Sequence, residues 1–182
     1  MTRLFVALPI PLTQRERLRG ICCGVRQAGW LSDENFHLTL RFIGEVEEPE
    51  VAYIISALSS VRLPQFELRV SGVGHFKSGH KITSLWAKVK MSSALVSLHE
   101  RIEKVLRRHG LNPDSRKFIP HVTLAKLKNA SPVHVRDWLQ NNGSFHIPPF
   151  NIVGFRLYES YRSNRSAIYT PIHEFPFYTR QV

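Results

Sequence analysis

Phe36-His37-Leu38-Thr39-Leu40-Arg41-Phe42 and Pro120-His121-Val122-Thr123-Leu124 carry one pattern: histidine, apolar, threonine, apolar. On a β-strand successive side chains alternate between faces, so His and Thr two apart point the same way, about 7 Å from one another. The same alternation predicts that Leu38, Leu40 and Phe42, and likewise Val122 and Leu124, point into a core. Each strand then offers one imidazole and one hydroxyl to a shared space. With 9 histidines and 7 threonines in 182 residues, only about 0.3 His-x-Thr triplets are expected by chance. Two occur, both in the same apolar frame, and that pairing marks them as a site.

The motifs sit in corresponding places of two similar halves. Leu4–Leu8 reads as a buried strand, followed by a helix bearing Leu18, Ile21, Cys22 and Val25 and capped by Gly29. The first His-x-Thr strand stops at Gly44, and a helix opened by Glu45–Pro49 carries Val51, Ile54, Ile55 and Leu58. Phe66, Leu68 and Val70 alternate as a strand, and Gly72–Thr83 reads as a polar rim or lid loop. The order then repeats: strand Leu85–Val89, a helix capped by Ser92 or Ser93 and ended by Gly110, and the second His-x-Thr strand, Phe118–Leu127. A short helix from Ser131-Pro132 and the strands Phe150–Tyr158 and Ala167–Ile172 complete the chain. His37 and His121 are 84 residues apart, and so are Phe66 and Phe150. The expectation is one domain over 1–182 with an α/β (α+β) fold, bilobed, a pseudo-two-fold duplication of βαβ-like units with repeats at roughly 3–75 and 83–173.

Composition narrows the partners. A hydrophobic share of 43% with 21% charged residues is that of a globular chain. The formal charge of +11 and pI near 10.2 point to a polyanion, RNA or DNA ahead of an anionic membrane surface. The two cysteines, Cys22 and Cys23, are adjacent, which suits an internal disulfide badly and reduced thiols in the cytoplasm well. No apolar run reaches the 18 or so residues of a membrane span.

An imidazole titrates near pH 6.5, so both protonation states are accessible near neutrality. Two of them across a phosphodiester can divide the work, one accepting a proton from water and the other donating to the departing oxygen. Threonine hydroxyls can donate to the non-bridging oxygens, where charge builds. That scheme needs no metal. The chain has no His-Glu-x-x-His or Cys-x-x-Cys and no Gly-x-Ser-x-Gly elbow, and Gly72-Val73-Gly74 lacks the rest of a phosphate-binding or dinucleotide loop. The remaining histidines, His75, His80, His99, His109, His134, His146 and His173, read as surface residues.

At these residues the sequence resembles the RNA 2′,3′-cyclic phosphodiesterases, also called 2′–5′ RNA ligases, of the two-histidine phosphoesterase superfamily. The resemblance rests on Arg3–Leu8, on His37-Leu38-Thr39-Leu40 followed by Phe42–Val46, and on Phe118 with Pro120–Leu124. Leu157–Ser160 and Tyr169–Ile172 add to it. It implies two antiparallel sheets flanking a central cleft, with helices outside. It also implies hydrolysis of a terminal ribose 2′,3′-cyclic phosphate to a 2′-phosphate without metal or nucleotide cofactor, and a reversible 2′–5′ joining of RNA ends. By motif, His37 is expected as proton donor to the leaving 3′ oxygen and His121 as proton acceptor, with Thr39 and Thr123 on phosphate oxygens. The partners expected are RNA ends, tRNA fragments among them, with no membrane, no obligate protein partner and a monomer by default.

Three further positions are candidate substrate contacts. Arg41 shares the face of His37 and Thr39 by alternation. Lys126 stands where family members often carry arginine; it keeps the charge without the bidentate fork, and strict alternation turns it away from His121 unless the strand bulges. Phe76 offers a ring to a base or to the sheet. Two rival readings remain open: a non-catalytic basic RNA-binding module of the same fold, and a phosphodiesterase for a small substrate such as ADP-ribose 1″,2″-cyclic phosphate.

Overall fold

The computed structural model describes residues 1–162 and 167–179. In chain order the elements are β1 (Thr2–Pro9), α1 (Leu12–Arg19), β2 (Ala28–Trp30), β3 (His37–Val46), α2 (Glu48–Ser59), β4 (Phe66–Ser78) and β5 (Lys81–Val89). Then come α3 (Ser93–Arg108), β6 (His121–Leu127), α4 (Pro132–Asn141), β7 (His146–Ile152), β8 (Gly154–Arg162) and β9 (Ala167–Pro176). Among the described residues no helix is long and apolar enough to cross a membrane.

Where two sheets were expected, the strands join in one antiparallel sheet, ordered β7-β4-β5-β6-β3-β1-β8-β9 with β2 alongside β6. The junction at its centre is narrow: β3 and β6 share the single pair Leu38↔Val122, whereas β1 and β3 share eight. Past that pair the strands part, and β2 takes over the edge of β6 through Ala28↔Leu127, Gly29↔Lys126 and Trp30↔Ala125.

One face of the sheet carries the large core, in which Leu38, Leu40, Val122 and Leu124 pack with Leu18 of α1, Ile54 and Leu58 of α2, Leu98 and Ile102 of α3, and Trp138 of α4. Helix α3 shows why: Leu95, Leu98, Ile102 and Leu106 recur at three- and four-residue steps and are all fully buried. Its first turn is capped by Ser92, whose Oγ accepts from the Leu95 N–H at 3.2 Å. The opposite face has a small aromatic core of Phe5, Ala7 and Tyr158, with Tyr169 packed on it.

Several boundaries differ from the sequence reading. The Gly72–Thr83 stretch is no lid: β4 and β5 run through it as a hairpin whose tight turn has Gly79 at φ +59. The strand survives its glycines because one register shift near Gly72 (φ +87) takes up the irregularity. Helix α1 ends at Arg19, and Gly29 lies in β2, where an added Cβ would meet the Lys126 carbonyl at 3.3 Å. Strand β3 continues through Gly44 (φ +97) to Val46 as a bulge. The expected strand Phe150–Tyr158 breaks at Val153 into β7 and β8. Phe66 and Phe150 are therefore not equivalents, since their strands are antiparallel neighbours, with Phe66 opposite Ile152 and Leu68 opposite Phe150.

Candidate active site

The pair Leu38↔Val122 fixes the geometry of both motifs. In antiparallel register it sets His37 opposite Thr123 and Thr39 opposite His121. All four lie on the face away from the fully buried Leu38 and Val122. Directly opposite residues have Cβ atoms about 5 Å apart and diagonal ones about 7–8 Å. The two imidazoles thus occupy one diagonal of a small quadrilateral and the two hydroxyls the other.

Both rings are held in the same way. His37 Nδ1–H donates to the Asn35 carbonyl at 2.8 Å, and His121 Nδ1–H donates to the Ile119 carbonyl at 2.6 Å. Each acceptor lies two residues upstream, and a carbonyl can only accept, so the neutral tautomer leaves Nε2 as a bare lone pair. Aromatic neighbours complete each setting. His37 packs against Phe5 (4.9 Å), Tyr169 (5.2 Å, edge-on) and Tyr158 (6.0 Å). His121 packs against Phe76 (4.8 Å, edge-on) and Trp86 (5.7 Å). Burial pushes the His37 pKa down to about 4, against the hydrogen bond to the Asn35 carbonyl and with help from the charges of His121 and Lys126. His121 is pushed down as well, by burial and then by Lys126. Both rings are therefore neutral at pH 7 in the unliganded protein.

A bulge sits one residue beyond each threonine. Val6↔Arg41 and Ala7↔Thr39 leave Leu40 unmatched; Leu85↔Ala125 and Trp86↔Thr123 leave Leu124 unmatched. Each bulge inverts the alternation downstream. Phe42, expected in the core, is turned outward and 46% exposed. Lys126 is returned to the side of His121, close enough for its charge to act on both imidazoles. The residue keeps solvent exposure, yet partial burial of the ammonium lowers its own pKa.

Arg41, a candidate substrate contact by alternation, lines the cleft with its side chain already paired inside the protein. It is 6% exposed, its Nε lies 2.6 Å from Glu103 Oε1 of α3, and its Nη1 is 3.9 Å from Asp114 Oδ2. It also donates to the carbonyls of Phe42 (2.7 Å) and Asn112. Its charge is consumed in tying the 112–119 segment and α3 to β3. Phe76, the third candidate, lies in β4 with its ring 5.1 Å from Trp86 as well as against His121, so it walls the site.

A cleft of about 440 Å³ runs from Thr39, Phe76 and His121 past Phe42 to His99, Arg116 and Phe118. Sequence reasoning missed that far end. His99, read as a surface residue, is half-buried and stacked on Phe118 at 4.1 Å. Arg116 is held by Asp114 (Nε–Oδ1 2.9 Å, Nη2–Oδ2 2.8 Å) and lies 5.1 Å from the Phe42 ring centroid. That pairing holds the Asp114 carboxyl down at about 2. Only the Asp-x-Arg spacing signalled a local pair, and nothing in it pointed to a cleft. Of the other histidines, His80, His109, His146 and His173 are exposed as expected, and His75 and His134 are half-buried. Among the described residues no group of three or more His, Cys, Asp or Glu side chains is placed to hold a metal ion.

Two bare Nε2 atoms and two hydroxyls on one face, with a cation beside them, form an acid–base site suited to a phosphoryl group. The LigT-like phosphoesterase family model matches the chain twice, over residues 8–86 and 89–169. An RNA 2′,3′-cyclic phosphodiesterase of Aeropyrum pernix is 34% identical over 147 residues, 79% of this chain and 83% of the relative. One of Archaeoglobus fulgidus is 30% identical over 176 residues, 95% and 99% of the two chains. The fold is likewise that of a Thermus thermophilus protein of known structure (TM-score 0.79, 24% identity, 96% and 97% coverage). It is also that of Escherichia coli LigT, whose structure was solved with 3′-AMP (TM-score 0.76, 23% identity, 97% and 98% coverage). This chain belongs to the LigT-like phosphoesterase family.

Proposed function

We propose that this chain is an RNA 2′,3′-cyclic phosphodiesterase that opens a terminal ribose 2′,3′-cyclic phosphate to the 2′-phosphate. His121 Nε2 takes a proton from the attacking water as the new P–O bond forms. His37, protonated at Nε2, gives a proton to the 3′ oxygen as the P–O3′ bond breaks. Thr39 and Thr123 donate to the non-bridging oxygens, and Lys126 offsets their charge. Because His37 is neutral in the unliganded protein, it takes up its proton together with the anionic substrate, whose charge opposes the effect of burial. With a 5′-hydroxyl in place of the attacking water, the same protonation states serve the joining of two ends through a 2′–5′ linkage, and the exchanged states serve its reversal to the cyclic phosphate.

The observation that carries this reading is the diagonal quartet around Leu38↔Val122, with both rings tied at Nδ1. The RNA 2′,3′-cyclic phosphodiesterase activity of relatives at 30–34% identity supports it. So does the net charge of +11 for RNA ends, tRNA fragments included, over a small cyclic phosphate. The molecule is read as one domain of two repeats, near 3–75 and 83–173, facing each other as lobes across the β3–β6 junction. The double family match and the bulges at Leu40 and Leu124 support that division. Residues 163–166 of the second repeat lie outside the described part. Two free, adjacent cysteines support a cytoplasmic setting, and a monomer is the working form.

The test is incubation of the pure protein with an oligoribonucleotide ending in a 2′,3′-cyclic phosphate, in EDTA, with the phosphate position read by ³¹P NMR. A 2′-phosphate is the expected product. An unchanged cyclic phosphate, with the oligomer nonetheless bound, would favour a non-catalytic RNA-binding module.

A further inference from the structure

Charge is divided unevenly along this chain. From Leu68 to His99 and from Ser115 to Arg136, the stretches that supply β5, β6 and most of β4, the sequence holds five lysines and arginines each. Neither stretch has a single Asp or Glu, so all 14 acidic residues lie elsewhere.

Sheet register shows where three of these cations point. Val70 pairs with Val89, and Lys88 with His121. Both valines are buried in the large core, so Arg69, Lys88 and Lys90 stand on the opposite face, the one that carries the quartet. Lys88 is directly beside His121, with Cβ atoms about 5 Å apart. The Lys90 N–H donates to the Arg69 carbonyl at 2.8 Å, which sets those two residues side by side. All three side chains are exposed, and among the described residues none of them is in an ion pair. They lead from the phosphate position to a groove of about 250 Å³ lined by Arg69, Lys90, Met91 and Pro149, where Glu67 is the first carboxylate met.

The same row of the sheet differs on the other side of the quartet. Ala7 lies opposite Thr39, and Arg156 opposite Ala7. There the Arg156 guanidinium is held by Glu174, with Nη2 2.6 Å from Oε1. Along this row the charge is therefore balanced on the β1–β8–β9 side and unbalanced on the β4–β5–β6 side. Single-stranded nucleic acids are held by surfaces of free cations that follow the backbone phosphates.

We infer that the RNA strand ending at the quartet runs over Lys88 to Arg69 and Lys90, with its phosphodiesters on these side chains. The inference rests on the phosphodiesterase reading for where the strand ends, and it makes the protein selective for an RNA strand over a mononucleotide.

The test compares pentauridylate bearing a terminal 2′-phosphate with uridine 2′-phosphate, by calorimetry between about 50 and 200 mM KCl. Each phosphate contact on a single strand contributes about −0.7 to the slope of log K against log salt. With three such contacts the pentanucleotide should lose about 20-fold more affinity across that range than the mononucleotide. Exchanging the three cations together, Arg69→Gln, Lys88→Gln and Lys90→Gln, should erase that difference and leave mononucleotide binding unchanged. Arg156→Gln should leave both intact. A pentanucleotide no more salt-sensitive than the mononucleotide would overturn the inference. So would a difference that survives the triple exchange, or one that Arg156→Gln removes instead. Turnover of the cyclic-phosphate oligomer is scored separately. Its failure would retire the phosphodiesterase reading, while the salt dependence still decides the path of the strand.

Discussion

The His37 and His121 halves share a backbone and differ in what fills it. From the histidine onward both strands run half-covered, buried, half-covered, buried, buried, exposed, with the bulge at Leu40 in one and Leu124 in the other. The neighbouring strand supplies the difference. Opposite Thr39 lies Ala7 and opposite Thr123 lies Trp86, while opposite Phe42 lies Phe5 and opposite Lys126 lies Ser84. The large ring has changed register between the halves. One strand further out, Arg156 faces Ala7, whereas Gly74 faces Trp86, because a Cβ at Gly74 would come within 2.2 Å of the indole. Arg41 and Ala125 continue the contrast: a side chain with four polar contacts does for β3 what strand β2 does for β6. Two strands sharing one frame can thus keep two imidazoles equivalent in geometry while one side is closed and the other open.

The strongest test of the shared geometry removes one imidazole at a time. His37→Ala and His121→Ala should each lower kcat/KM on a cyclic-phosphate oligomer about 10²- to 10⁴-fold, and each should abolish a different limb of the bell-shaped pH profile. A variant keeping both limbs would break the division of roles. Arg41→Met should destabilise by about 3–5 kcal/mol in urea unfolding, because it strands the largely buried Glu103 carboxylate. Ala125→Met, its counterpart in sheet register, tests overpacking instead and should cost about 1–3 kcal/mol.

Acid stability separates the two rings further. An exposed imidazole titrates near 6.5 and folded His37 near 4, so in that window the unfolded chain binds a proton that the native state refuses. Stability should therefore fall as the pH drops from about 6.5 towards 4, by at most about 1.4 kcal/mol per unit from this residue. His37→Gln should flatten the dependence in unfolding at pH 7, 6 and 5. The smallest expected effect is at Gly74: Gly74→Ala should cost about 1 kcal/mol, the low end of overpacking, by forcing Trp86 to move. A loss in kcat without a stability change would mean that Trp86 holds His121 more tightly than it supports the sheet.

The linear chain by itself determined the two strands, their shared frame and the four polar side chains of the quartet. Period-two alternation and a repeated tetrapeptide are local properties, and so are the apolar stripe and serine cap of α3. It did not determine the partners of anything past the threonines. The bulges at Leu40 and Leu124 decide that Phe42 and Lys126 face the site and that Arg41 turns inward, and they exist only in the register with β1 and β5. The open cleft, with His99 and Arg116 on its walls, depends on segments 60 to 80 residues from His37 that meet β3 only through tertiary packing. Alternation is written along one strand; a bulge, a cleft and an ion pair are agreements between distant segments, and only folding brings those together.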